Sequence, residues 1–156
     1  MALEIKKYPD PILKGRAREV REITRETQDL ARQMVRVMVD NDGIGLAGPQ
    51  VGAQKRIIVV VTEKGPEVFI NPKVVARGKG TELMEEGCLS VPGLFLKIKR
   101  SKSVEVEALT LDGEKIRIKA EGLLARIFQH EIDHLDGILF TDRVSLRQKL
   151  WRFFNG

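Results

Sequence analysis

Apolar side chains at Leu30, Met34, Val37 and Met38 recur at helical spacing and share one face. Thr24 is placed to cap that helix and Asn41-Asp42-Gly43 to stop it. The β-branched run Arg56–Thr62 predicts a buried strand, and Glu63-Lys64-Gly65-Pro66 turns the chain into a second short strand, Glu67–Ile70. Alternation at Val104–Ala108 and Ile116–Lys119, separated by Asp112-Gly113, predicts a hairpin. Gly122 to Asp136 reads as a second helix stopped by Gly137, and residues 145–154 as a third. Strands that run together between helices predict an α+β fold with antiparallel or mixed sheets, packed around the central helix Gly122–Asp136.

Composition narrows the picture. At 156 residues, with 42% hydrophobic and 31% charged positions, residues 1–156 are expected to form a single globular domain. No run of about 18 apolar residues is present, so no membrane span is expected. The start, MALEIKKYPD, has no apolar core of a secretory signal. One cysteine, Cys88, excludes an internal disulfide and suits a reducing cytoplasm. The net charge of +5 is spread along the chain and describes a solvated surface better than a nucleic-acid footprint.

Two motifs compete for the chemistry. Gly43-Ile44-Gly45-Leu46-Ala47-Gly48 spells G-x-G-x-x-G, but a dinucleotide loop leaves a strand and enters a helix. This loop leaves a helix and runs through Pro49-Gln50 toward a strand, so no dinucleotide is expected. The second motif is His130-Glu131-Ile132-Asp133-His134. On a helix, residues four apart share a face, so both rings can aim at one ion, with Glu131 beside them to take a proton from water. The chain has two histidines, and both lie in this motif.

A hydrolytic site of this kind needs a third protein ligand and an open position. Phe140 stands where an extended motif would place a third histidine, and no Glu follows Glu131. The third ligand must lie upstream, among carboxylates or the one thiol. Cys88, in Glu86-Gly87-Cys88-Leu89-Ser90, sits at the end of a polar stretch, an odd place for a cysteine that only packs.

With H-E-x-x-H, E-G-C-L-S and Gly43–Gln50 in that family's order, the chain resembles the peptide deformylases. The lead-in Tyr8-Pro9-Asp10-Pro11-Ile12-Leu13 is also similar. Gly48 departs from the family's usual Ala, and that departure creates the apparent nucleotide fingerprint. The resemblance implies removal of the N-formyl group from the initiator N-formylmethionine of nascent peptides. It implies Cys88, His130 and His134 as ligands of one divalent ion. Fe(II) would be the physiological metal, with Zn, Ni or Co as alternatives. It also implies Glu131 as general base, then acid, with the Gln50 amide and the Leu89 N–H as oxyanion donors.

An enzyme of this kind must seat a methionine side chain and an extended peptide. Gly43, Ile44, Gly45 and the strand leading to Glu86 and Gly87 are expected to offer backbone edges. Ile44, Met84, Leu123 and Ile127 are expected around an apolar pocket. Arg100 and Arg126 are left open between peptide and solvent, and Asp133 between orienting a histidine and an exposed position. The basic, apolar residues 145–156 either pack on the core or, as in bacterial relatives, contact the ribosome. Two further readings are a general metallopeptidase and a catalytically silent binding module; the presence of Glu131 argues against the second.

Overall fold

The computed structural model describes residues 3–144. In chain order the elements are α1 (Arg25–Asp40), β1 (Gly45–Ala47), β2 (Ile57–Thr62), β3 (Gly65–Arg77), β4 (Thr81–Cys88), β5 (Val91–Ser101), β6 (Ser103–Leu109), β7 (Lys115–Glu121) and α2 (Gly122–Leu135). The third helix expected at 145–154 lies outside the described residues.

Ile57, Ile58, Val59 and Val60 are all fully buried, so β2 has no solvent face. Ile58 and Val60 pack with Phe69, Val106, Phe128 and Leu135, and Ile57 and Val59 pack with Met34, Met38, Leu46 and Ile70. Period-two alternation thus sends successive β2 side chains into two cores, one under α2 and one under α1. The stripe on α1 does what its spacing requires: Met34 and Met38 are fully buried, with Leu30 and Val37 half-buried beside them. Thr24 caps the helix, its Oγ1 accepting the Thr27 N–H at 3.3 Å.

The sheet carries five antiparallel strands in the order β1-β2-β3-β6-β7, and β4 and β5 form a separate antiparallel pair. Two differences from the sequence expectation have physical causes. β3 runs to Arg77 instead of ending at Ile70, because Asn71 adopts a φ of 52° and the ladder shifts register between Ile70 and Lys73. Asn71 is held there by Val20, whose N–H donates to Oδ1 and whose carbonyl accepts from Nδ2, both at 2.8 Å. The strand expected to end at Ile70 therefore continues through a bulge at Asn71-Pro72. The second difference is β5, whose run of lysines hid its partnership with β4.

The helix α2 is buried at every residue from Ala125 to Leu135, packed between the large sheet and the β4–β5 pair. Phe128 meets Phe69 edge-on, with ring centroids 5.0 Å apart. The antiparallel α+β architecture around the helix that carries His130 and His134 is as expected. No helix among the described residues is long and apolar enough to cross a membrane.

The chain leaves α2 through Gly137 at a φ of +75°, where a β-carbon would collide with the Lys14 carbonyl oxygen. Gly137→Ala combines a left-handed backbone with that backbone clash. It is expected to destabilise by about 2 kcal/mol or more. The thermal midpoint should fall by roughly 5 °C or more, at about 2–4 °C per kcal/mol for a chain of this length; an unchanged melting curve would refute the strain.

Candidate metal centre

His130 and His134 follow each other by one turn of α2, with ring centroids 5.0 Å apart. Cys88 closes β4 where the β4–β5 register shifts after Glu86, and the irregularity brings its Sγ to 3.4 Å from His134 Nε2. One donor atom from each of Cys88, His130 and His134 lies within 4.8 Å of the other two. A thiolate and two imidazoles are a donor set for a borderline divalent ion, and three protein donors leave a fourth position open.

The surroundings favour positive charge at this point. Burial alone would lower the His130 pKa, but Glu131, Cys88 and Glu86 overcome it and raise the ring to about 10. His134 goes the other way, far below its ordinary value, through burial and then the charge of His130. A neutral ring is the ligating form. The residues present therefore fit a divalent cation.

Glu131 sits beside the donors with Oε1 buried and unpartnered. Burial pushes its carboxyl up to about 7, against the charges of His130 and Arg100. That is the range in which a carboxylate can take and return a proton at neutral pH. Gly45 makes the space: a β-carbon there would meet Glu131 Oε2 at 2.5 Å. On the other side, Gln50 is buried with Nε2 3.6 Å from Cys88 Sγ.

These groups open on a cleft of about 1490 Å³ lined by Gly43, Ile44, Gly45, Gly87, Leu89, Leu123 and Ile127 among others. Ile44 and Leu123 stand half-exposed at its mouth and Ile127 is buried within. Met84 does not line this cleft, contrary to expectation: it lies two residues before Glu86 and pairs with Ile98 in the β4–β5 ladder.

Comparison with known proteins points one way. The sequence profile described as polypeptide deformylase matches residues 2–150. The chain belongs to the peptide deformylase family. A peptide deformylase from Halothermothrix orenii is 51% identical over 144 residues, spanning 91% of this chain and 93% of that one. The crystal structure of a Synechococcus elongatus peptide deformylase in complex with actinonin superposes with a TM-score of 0.91 at 43% identity, covering 98% of this chain and 84% of that one. The Thermotoga maritima enzyme gives 0.90 at 40% identity, covering 93% and 99%. The chain is accordingly a metal-dependent hydrolase of the deformylase type.

Within this deformylase the sequence reading gave Glu86 a backbone role alone and none to its side chain. Its carboxylate is buried and accepts four hydrogen bonds. They come from Arg100 Nε (2.7 Å) and Nη2 (3.0 Å), Arg126 Nη1 (2.5 Å) and His130 Nδ1 (2.8 Å). Burial works to raise its pKa, but the bond to His130 and the bonds and charge of Arg100 hold it at about 2. By engaging Nδ1, Glu86 leaves Nε2 of His130 for the ion. Only the main chain of Glu86 remains for a peptide, on the β4 edge that β5 does not cover.

Arg100 and Arg126, left open by sequence, are both buried on this carboxylate. Arg126 also donates to the carbonyls of Ile98 and Glu82, bracing α2 against β5 and β4. Asp133 is neither exposed nor bonded to a histidine: it holds Arg100 Nη1 at 2.7 Å and Arg143 through two bonds. Sequence reasoning gave Gln129 no role, yet its amide bonds the Ser101 N–H and carbonyl and fixes α2 on β5 one residue before His130. The signal for Arg100 was available in the two-residue alternation that puts it on the inward face with Ile98.

Glu86→Gln should fold and keep the cleft but weaken metal binding about 10–100-fold, the usual effect of losing a partner behind a ligating histidine. Competition against a chromophoric chelator measures it, and wild-type affinity would show that His130 needs no such support.

Proposed function

We propose the following assignment of roles in hydrolysis of the N-formyl group from the initiator N-formylmethionine of nascent peptides, with release of formate. The observation that carries it is a buried, unpartnered Glu131 carboxylate beside three ligating side chains, with an amide donor across from it. A divalent ion held by Cys88, His130 and His134 would polarise the formyl carbonyl and acidify the attacking water. Glu131 takes the proton of that water as its oxygen adds to the formyl carbon. The oxyanion of the tetrahedral intermediate is met by the Gln50 Nε2–H and the Leu89 N–H, each such donor contributing typically about 3–4 kcal/mol. Glu131 then returns the proton to the departing α-amine as the C–N bond breaks, leaving formate and a free N-terminus.

The peptide lies extended between two open strand edges. β1 ends the five-stranded sheet and β4 pairs only with β5 among the described residues, so both have main-chain groups to offer. The Ile44 carbonyl already accepts the Val61 N–H at 2.9 Å, which aligns Gly43-Ile44-Gly45 as an extension of β1. Gly87 contributes the facing backbone, and Ile44, Leu123 and Ile127 offer an apolar seat for the methionine side chain. The physiological ion is assigned as Fe(II), with Zn, Ni or Co accepted by the same donors; thiolate and imidazole suit all four. The enzyme works in the cytoplasm, where nascent formylated chains arise, and residues 145–156 contact the ribosome.

Metal-loaded protein prepared without oxygen should release formate from formyl-Met-Ala-Ser. Cleavage of internal peptide bonds instead would favour a general metallopeptidase. Glu131→Gln is expected to keep its metal and lose about 10²–10⁴-fold in kcat; turnover at the wild-type rate would sink the general-base role. Cys88→Ser should bind metal less tightly, and full binding at unchanged affinity would remove Cys88 from the ligand set. Deletion of residues 145–156 should abolish co-sedimentation with ribosomes, and unaltered co-sedimentation would dispose of that contact.

A further inference from the structure

An oxyanion donor carried on a side chain must be aimed, and Gln50 shows how. Its Oε1 accepts the Ala47 N–H at 2.9 Å. That bond fixes which end of the amide faces Cys88, because the flipped amide would set two donors against each other. Nε2 carries two hydrogens. It donates to Ser90 Oγ at 3.1 Å and, through a longer bond, to Cys88 Sγ at 3.6 Å. Ser90 is fully buried and Gln50 almost so.

The main chains of the same two residues are clasped by one N-terminal stretch. Lys6 N–H donates to the Gln50 carbonyl at 2.6 Å, and Tyr8 N–H to the Ser90 carbonyl at 2.8 Å. Two loops 40 positions apart are thus held in register by backbone bonds, and the Ser90 hydroxyl has a fixed place relative to the amide.

We propose that Ser90 is a positioning residue for deformylation: its hydroxyl holds one hydrogen of the Gln50 amide, so that the other keeps only its long contact with the Cys88 sulfur and is given up readily to the oxyanion. This rests on the reading that Gln50 donates to that oxyanion. Without the hydroxyl, one buried N–H loses its acceptor, and the Cys88 sulfur, already in long contact with the amide, is the nearest that remains. A thiolate is an anionic acceptor and draws an N–H more strongly than a neutral hydroxyl does. The amide then rotates toward the ligating sulfur and away from the reacting carbonyl.

A double-mutant cycle on the metal-loaded enzyme tests this. Ser90→Ala should lower kcat about tenfold with KM within about threefold, and Gln50→Ala should lower kcat about 100-fold. In the Gln50→Ala background, Ser90→Ala should change kcat less than about twofold, because the group it aims is gone. The same tenfold loss in both backgrounds would overturn the proposal alone. An unchanged kcat in Gln50→Ala would overturn the role of Gln50 and the proposal with it. Ser90→Thr keeps the hydroxyl and should retain kcat within about threefold; a loss as large as that of Ser90→Ala would count against aiming. Thiolate charge-transfer absorption of Co(II)-loaded protein gives a readout apart from turnover. It should shift in Ser90→Ala and not in Ser90→Thr, and an identical band in all three proteins would contradict the rotation toward sulfur.

Discussion

A carboxylate removed from water is tolerated only where its lone pairs find donors, and Glu86 meets that condition with four of them. Removing such ions from water costs several kcal/mol each even after relaxation, so every bond lost from this cluster weakens the fold. The acceptor and its donors come from three elements. Arg100 is on β5, Arg126 and His130 are on α2, and Glu86 itself is on β4. One ionic knot therefore sets the distance between the helix that holds both histidines and the strand that ends in Cys88. The Cys88 sulfur can meet the two rings because Glu86, two residues earlier, is pinned to the same helix.

The knot extends past what ligand orientation needs. Asp133 bonds Arg100 and Arg143, so two carboxylates face three guanidiniums around α2. Of these charges, that of Arg100 reaches Glu131, where it favours the ionised carboxylate against burial. In a water-poor interior such fixed charges act with little screening and need no rearrangement during the reaction. The same groups that give the site its geometry thus bias its electrostatics. The five-stranded sheet serves this arrangement by supplying a floor, since β2 buries both its faces and β3 meets α2 through the Phe69–Phe128 contact.

Sequence carried the parts of this design that follow from local rules. Helical periodicity gave both helices, and spacing of four gave the histidine pair. Elimination left the thiol or an upstream carboxylate as third ligand, and Cys88 is the one the geometry brings to the rings. What stayed hidden depends on pairing across the chain. Glu86 reads as a polar residue near a peptide, and only its position opposite His130, 44 residues later, makes it a support for that ring. Arg100, Arg126 and Asp133 look like solvated charges until β5 folds over α2. Met84 was placed in the pocket on polarity alone, and the β4–β5 register puts it elsewhere. The strand expected to end at Ile70 continues because a bulge at Asn71 lets the ladder resume, and that bulge is set by long-range bonds to Val20.

Buried polar groups in this molecule divide by what they are for. Glu86, Arg100, Arg126, Gln129 and Asp133 are bonded on several sides, and each positions something else. Glu131, five residues after Arg126 and next to His130, keeps an oxygen without a partner in the same interior. An unbonded buried carboxylate oxygen costs free energy that another arginine would remove, and two arginines already lie close by. Pairing Glu131 as Glu86 is paired would hold its pKa near the bottom of the scale and leave it unable to take a proton at neutral pH. Gly45 lies against the carboxylate where a side chain would obstruct it. The opposite treatment of two acids within one cluster, one held at about 2 and the other raised to about 7, separates a carboxylate that braces α2 from one able to exchange a proton near neutral pH.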